Sequence, residues 1–241
     1  MSFGQSWRTF VRALKLSYDN IGKVMLTNLV WFGIGFAPML AFSYVPFLQT
    51  DVFFLVSIVV TLITIGGATG AVHYRMNHLI QGEETVLKDM WEGFKLYWFR
   101  STILFFLGIL GFLILVFNIW FSQNYPTTIF MILSGLWIWG IIYWIALHQF
   151  VFPFLVNQDI GVFKTLKRAA LIILDNPLPS LVLLVLSVIV VALSLVFAAP
   201  LLIFMASFLA VVQNCFYHEL MVKYEVQEQD NLVEVEGEDK A

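Results

Sequence analysis

Charged residues are scarce in this chain: Asp, Glu, Lys and Arg make up 12% of its 241 residues, against about 25% in a typical soluble domain. Hydrophobic residues make up 60%, and the mean hydropathy is +0.87. The surface of a soluble fold needs polar cover that this composition does not supply. The composition therefore argues against an ordinary soluble protein and indicates one that is embedded in a lipid bilayer.

Residues that carry chemistry are also few. Cys215 is the single cysteine, which excludes an intrachain disulfide and a thiolate metal cluster. The histidines lack His-Glu-x-x-His spacing, and no lysine follows the glycine-rich segment as in a phosphate loop. Neither a Ser-His-Asp ordering nor a basic and aromatic nucleic-acid surface is evident. We therefore expect a protein that is not an enzyme, holds no cofactor or metal, and binds no nucleic acid.

What the sequence does have is six apolar runs, each near the roughly 20 residues that cross a bilayer as a helix. They are residues 24–45, 52–74, 101–122, 127–156, 178–197 and 201–222. We predict an all-α membrane domain over residues 1–224, with six transmembrane helices paired as three hairpins. An acidic disordered tail is expected over residues 225–241. Only Ala198-Ala199-Pro200 separates the last two runs, so five spans is the alternative.

The 13 Lys and Arg residues lie outside the three short connections between runs. They fall in the N-terminal segment, in residues 75–100 and 157–177, and in the C-terminal segment. Because basic residues near span ends face the cytoplasm, both termini are predicted to be cytoplasmic in a multi-pass cell-membrane protein. No charged residue lies at mid-membrane, which argues against a charge-coupled pump or a voltage sensor.

Three of the basic segments have apolar residues at steps of three and four, typical of a helix at the membrane interface. They begin near Trp7, Trp91 and Phe163, and each precedes a pair of runs. Anionic lipid headgroups are the predicted partners of the basic residues in the first and third segments. These residues are Arg8, Arg12, Lys15, Lys164, Lys167 and Arg168. The alternative is that the three helices pack on the bundle of spans.

The first and third segments resemble each other. Arg12-Ala13 and Asp19-Asn20 recur 156 residues later as Arg168-Ala169 and Asp175-Asn176. The pattern suggests an internal threefold repeat, in which each unit is a cytoplasmic amphipathic helix followed by a membrane hairpin. Chance similarity between short apolar and basic strings is the alternative.

Two features concern the interior of the bundle. Gly66, Gly67, Gly70 and Ala71 form small-xxx-small patterns, which let two helices approach closely. Polar side chains occur in the cytoplasmic third of the runs: Asn28, His73, His148, Gln149, Gln213, Asn214 and His218. This cluster either lines a polar vestibule open to the cytoplasm or lies near the interface, where water reaches it.

Short motifs run through the first half of the chain. They are Asn28-Leu29-Val30-Trp31, the stretch from Gly66 to Arg75, Gly82-Glu83-Glu84, and Trp91-Glu92-Gly93-Phe94-Lys95. In these motifs, over roughly residues 7–112, the chain resembles the YesL-like family of bacterial integral membrane proteins, a domain of unknown function. The second half agrees only in the layout of its spans.

The resemblance implies a location in the bacterial inner membrane. It also implies an accessory or regulatory role beside a carbohydrate transport system, with a membrane transporter subunit as partner. Two alternatives remain: a small transporter or channel for a neutral solute, and a lipid-binding or membrane-organising protein.

Overall fold

The computed structural model describes residues 1–45, 50–125 and 127–238, and for residues 225–238 it describes the backbone alone. Within these ranges the chain is helical and contains no strand. The helices are α1 Phe3–Asp19, α2 Ile21–Tyr44, α3 Asp51–Ile80, α4 Leu87–Asn124, α5 Thr128–Gln158, α6 Val162–Asp175, α7 Pro177–Phe197, α8 Ala199–Ile203 and α9 Met205–Glu238. The predicted all-α class is therefore confirmed. The acidic tail stays a prediction, because its side chains and residues 239–241 lie outside the described part.

Five of the described helices are long and apolar enough to cross a membrane: α2, α3, α4, α5 and α7. This finding supports a multi-pass membrane protein. The sixth predicted run is divided between α8 and α9, and α9 is not among the five. Its first four turns carry Gln213, Asn214, His218 and Glu219, which lower the hydropathy of the segment.

Asparagine separates two of the amphipathic helices from the runs that follow them. Asn20 lies between α1 and α2, and Asn176 lies between α6 and α7. Each side-chain amide donates a hydrogen bond to the carbonyl four residues earlier, that of Leu16 at 3.1 Å and that of Ile172 at 3.2 Å. At both positions the backbone leaves the helical conformation, with φ and ψ of −118° and 30° at Asn20 and of −133° and 63° at Asn176.

The second amphipathic segment has no such joint. It forms one continuous helix, α4, together with the run at residues 101–122. The prediction of a separate amphipathic helix before every hairpin is therefore wrong for this unit. The physical reason is that the segment from Leu87 to Leu104 contains no proline and a single glycine, Gly93, so its residues favour continuation of the helix.

α3 lies antiparallel to α2 and to α4. The Trp31 indole donates to Thr69 Oγ1 at 3.1 Å, and Arg75 donates to Thr27 Oγ1 at 2.7 Å, so the numbering rises on one helix as it falls on the other. The glycine cluster lies at the contact with α4. A Cβ added at Gly66 would lie 2.8 Å from the Thr102 Cα, which shows how closely the two backbones approach.

The chain turns between α7 and α9 within Ala198-Ala199-Pro200, the segment that separates the last two apolar runs. Ala198 has a positive φ of 53°, and the short helix α8 follows it. The start of α7 lies beside the far part of α9, where Asn176 donates to the Tyr224 hydroxyl at 2.6 Å. α7 and α9 are therefore antiparallel.

We call the end of the bundle that carries α1, residues 75–100 and α6 the basic end. Residues 36–45, 50–60, 110–125, 127–140 and 188–197 form the opposite end. Most of the buried core lies toward the basic end, in the second halves of α3 and α5 and in the first half of α9. At the opposite end large apolar side chains are exposed, for example Ile132 at 72% and Trp139 at 70%.

Candidate functional site

Three helices, α3, α5 and α9, contact one another near the basic end, and their polar side chains meet there. They run in parallel, because His73 and Asn77 on α3 face Asn214 and His218 on α9 in the same order. We call this cluster the polar junction. Its members are His73, Asn77, Gln149, Asn157, Gln158, Gln213, Asn214, Tyr217 and His218.

Asn214 is the centre of the junction and is fully buried. Its Nδ2 lies 3.1 Å from His73 Nδ1 and donates to the Ala210 carbonyl at 2.8 Å. Its Oδ1 accepts from Asn157 Nδ2 at 3.2 Å. The His73 ring stacks on Phe152, with ring centroids 5.2 Å apart. One amide thus joins all three helices.

Two further pairs flank this centre. His218 Nε2 lies 2.7 Å from Asn77 Oδ1. Gln149 Oε1 accepts from Gln213 Nε2 at 2.5 Å and from Ser187 Oγ on α7 at 3.0 Å. Polar side chains bonded across helices in this way hold helices together where lipid supplies no hydrophobic driving force.

Asn28 is fully buried and lies outside the junction, at the break between α8 and α9. Its Oδ1 accepts from the backbone N–H groups of Ala206 at 2.7 Å and Ser207 at 3.2 Å. Its Nδ2 donates to the carbonyls of Leu201 and Leu202 at 3.0 and 2.6 Å. These are terminal groups that a helix cannot pair itself. A side chain on α2 therefore caps both helix ends.

His148 also lies away from the junction, on the face of α5 that packs against α4. Its Nδ1 is 2.9 Å from the Trp144 carbonyl. A Cβ added at Gly108 would lie 2.7 Å from His148 Nε2, so that glycine makes room for the imidazole. An apolar cavity of about 310 Å³ adjoins the ring.

The structure thus brings together five residues of the predicted polar cluster and separates Asn28 and His148 from them. The five are His73, Gln149, Gln213, Asn214 and His218. Sequence reasoning missed Asn77, Asn157, Gln158 and Tyr217. Helical spacing was a usable signal for two of them: Asn77 lies one turn beyond His73, and Tyr217 lies one turn beyond Gln213.

Arg75 was expected only to mark the cytoplasmic end of a span, as one of the basic residues in 75–100. The structure shows that it is also buried. It is 2% exposed, and its Nε has no hydrogen-bond partner among the described atoms. The Thr27 hydroxyl accepts from its Nη1. Arg75 therefore acts in α2–α3 packing as well as carrying charge at the basic end.

α1 has both an inner and an outer apolar face. The inner face packs on α9, where the Phe10 and Phe208 rings lie 6.3 Å apart. The outer stripe is left exposed and consists of Phe3, Trp7, Val11, Leu14 and Tyr18. Packing on the bundle, one of the two alternatives for this helix, is therefore observed for the inner face. Contact of the outer stripe with the membrane interface stays a prediction.

The chemistry available in the polar junction is that of neutral amides, imidazoles and a phenol. In the part of the chain that the structure describes, no group of three His, Cys, Asp or Glu residues is placed to hold a metal ion. No family model matches the chain, and neither a curated protein nor a solved structure matches it. The resemblance to the YesL-like family stays a prediction.

Proposed function

We propose that this chain is a non-enzymatic bacterial membrane protein that assists or regulates a transport system, docking through its basic end. The observation that supports this role best is the exposed outer stripe of α1. Trp7 is 51% exposed and Tyr18 is 76% exposed. The inner face of the same helix packs on α9, so packing within the chain does not cover the outer stripe. Exposed aromatic residues beside basic ones are typical of surfaces that meet headgroups or a protein partner.

The bonding of the polar junction favours this role over a transporter for a neutral solute. Asn214 and Gln149 bond to other side chains of the bundle, and Asn28 bonds to helix ends. A solute path needs polar groups that are free to exchange partners with the solute. A cavity that reached from both Asn28 and His148 toward mid-membrane would favour transport. The two side chains instead lie in different parts of the bundle, Asn28 at the break between α8 and α9 and His148 beside Gly108 on α4.

We further propose six spans arranged as three hairpins related by an internal repeat. The packing order supports it: α1 lies on α9, α6 lies on α5, and the first turns of α4 lie on α3. Each amphipathic segment thus contacts the returning helix of another hairpin, in cyclic order. The matching joints at Asn20 and Asn176 support the same proposal.

The proposed orientation places the basic end in the cytoplasm. A cysteine at Gln123, introduced with Cys215 replaced by serine, is expected to react with an impermeant thiol reagent from outside the cell. A cysteine at Gly161 is expected to react only after the membrane is opened. The reverse labelling would overturn the orientation.

The docking role is tested by affinity purification from native membranes, with mass spectrometry of the proteins recovered. The variant Trp7→Ser with Leu14→Ser is expected to lose the transporter subunit that the unmodified chain recovers. Ile132→Ser with Trp139→Ser, a pair at the opposite end that is more exposed than Trp7 and Leu14, is the matched control and is expected to keep it. Recovery of no transporter subunit by the unmodified chain would count against the proposal.

A lipid-binding role is the second candidate, and a specific arrangement favours it. Lys95 Nζ lies 5.2 Å from the centroid of the Trp91 ring, on an exposed face of α4. A cation over an aromatic ring at the membrane surface suits binding to anionic headgroups. Under this role the basic residues of α1 and α6 supply further positive charge. The measurement is whether the purified protein retains phosphatidylglycerol.

A further inference from the structure

A groove of about 250 Å³ lies between α5, α6 and α9 at the basic end. Its floor is apolar and is formed by Phe154, Leu171, Ile172 and Met221. Leu171 is 49% exposed, so the floor continues onto the outer surface of α6. A groove of this kind accepts the first carbons of an acyl chain where they meet a headgroup.

Opposite charges flank this floor. Arg168 and Asp175 both line the groove and lie two turns apart on α6, which is about 10 Å along the helix. Within the described part of the chain neither residue forms an ion pair. The guanidinium donates to Gln158 Oε1 with one of its five N–H groups, so the others remain for a ligand.

The acidic side of the groove is held in place by its neighbours. The Tyr224 hydroxyl lies 3.4 Å from Asp175 Oδ2 and accepts from Asn176 Nδ2 at 2.6 Å. Burial raises the pKa of the Tyr224 phenol, so it stays protonated at neutral pH and remains a donor to the carboxylate. Lys223, the residue before Tyr224, donates to Asn176 Oδ1 at 3.2 Å and forms no ion pair with Asp175.

We propose that this groove binds the headgroup of a zwitterionic phospholipid, with the phosphate at Arg168 and the ammonium at Asp175. The guanidinium fork matches phosphate oxygens, and the carboxylate matches an ammonium group. The apolar floor then takes the adjoining acyl carbons. This inference rests on the proposed placement of the basic end at the membrane surface, and it differs from general attraction to anionic lipids, because Asp175 repels them.

The test is lipid retention by the full chain, purified from vesicles of equal parts phosphatidylethanolamine and phosphatidylglycerol and analysed by native mass spectrometry. The unmodified chain is expected to retain phosphatidylethanolamine in preference. Asp175→Asn is expected to lower that retention about tenfold, the size of one charge-assisted hydrogen bond, and Arg168→Gln to lower retention of both lipids. Asp175→Glu keeps the charge and is expected to keep the preference.

Asp19→Asn is the matched control, because Asp19 ends α1 as Asp175 ends α6 but lines no part of this groove. It is expected to change nothing, and thermal unfolding shows whether each variant is folded. Unchanged or increased phosphatidylethanolamine retention in Asp175→Asn would overturn the groove proposal. If the unmodified chain prefers phosphatidylglycerol, the groove proposal fails while docking at the membrane surface stands. Recovery of a partner is measured separately.

Discussion

The two ends of the bundle differ in what holds their helices together. Toward the basic end, hydrogen bonds between side chains join α3, α5 and α9, and glycines bring α3 and α4 into close contact. At the opposite end, helices with almost wholly apolar side chains leave much of their surface exposed. This difference is expected in a bilayer. Lipid tails cover apolar surface as well as another helix does, so helices associate through polar groups and small residues.

The largest effect is expected from Asn28→Leu, which removes the cap between α8 and α9. Two backbone N–H groups and two carbonyls lose their partner at a fully buried site. At roughly 1–3 kcal/mol for each buried group left unpaired, a loss of about 3–5 kcal/mol in unfolding free energy is expected after partial relaxation. Reversible unfolding in mixed micelles measures it.

Asn118→Leu is the control for that change. Asn118 is also on an apolar helix, but its side chain donates to the Ile114 carbonyl of its own helix and, among the described residues, to no other helix. A change below about 0.5 kcal/mol is expected. Equal losses in the two variants would mean that Asn28 does not cap the break.

The next largest effect is expected from Gly66→Val, which forces a side chain into the contact with Thr102 on α4. Overpacking of this kind destabilises by about 1–3 kcal/mol. Gly33→Val makes the same change on α2, where a Cβ meets nothing within 4 Å. The same unfolding measurement compares the pair, and a cost at Gly33 as large as that at Gly66 would contradict close α3–α4 packing.

A smaller effect is expected for the coupling between His73 and Asn214. A double-mutant cycle of His73→Phe and Asn214→Leu is expected to give an interaction energy of about 0.6–1.7 kcal/mol, which lies between the average and the largest value for side-chain hydrogen bonds between membrane helices. Strictly additive losses would show that the two side chains do not interact.

The smallest effect is expected at the opposite end. Ile132 is 72% exposed, so Ile132→Ala removes few protein contacts and changes the unfolding free energy by less than about 0.5 kcal/mol. A loss above 2 kcal/mol would indicate that this surface packs against another chain or another part of this one.

Much of the architecture follows from the sequence because length and hydropathy are local properties. The five long apolar helices and the turn at Pro200 were predictable in this way, although the ends of α3 and α4 extend well past their apolar runs. The continuity of α4 was not predicted, because apolar periodicity does not show whether two adjacent helical segments share one axis. The absence of a breaking residue was the better signal.

The candidate site was less predictable. The sequence indicates that His73 and Asn214 lie at similar depth, but it does not indicate which helices adjoin, because their contact joins residues far apart in the chain. The same limit applies to Asn28, whose partners are backbone groups of α8 and α9. For Arg75, the positive-inside rule predicts the side of the membrane and contains no information about burial.

The central claim is that the polar junction is closed packing and not a path for solute, and a cysteine placed beside Asn214 tests it directly. Ala210→Cys with Cys215→Ser is the variant, because Ala210 is fully buried and lies one turn before Asn214, whose side chain donates to its carbonyl. In intact membranes a small water-soluble maleimide is expected to label the cysteine at position 210 at least about a hundredfold more slowly than in the detergent-unfolded chain, since labelling then needs a local opening of a few kcal/mol. Rapid labelling in intact membranes would contradict the account, because it would place water beside Asn214 and reopen the case for a transporter.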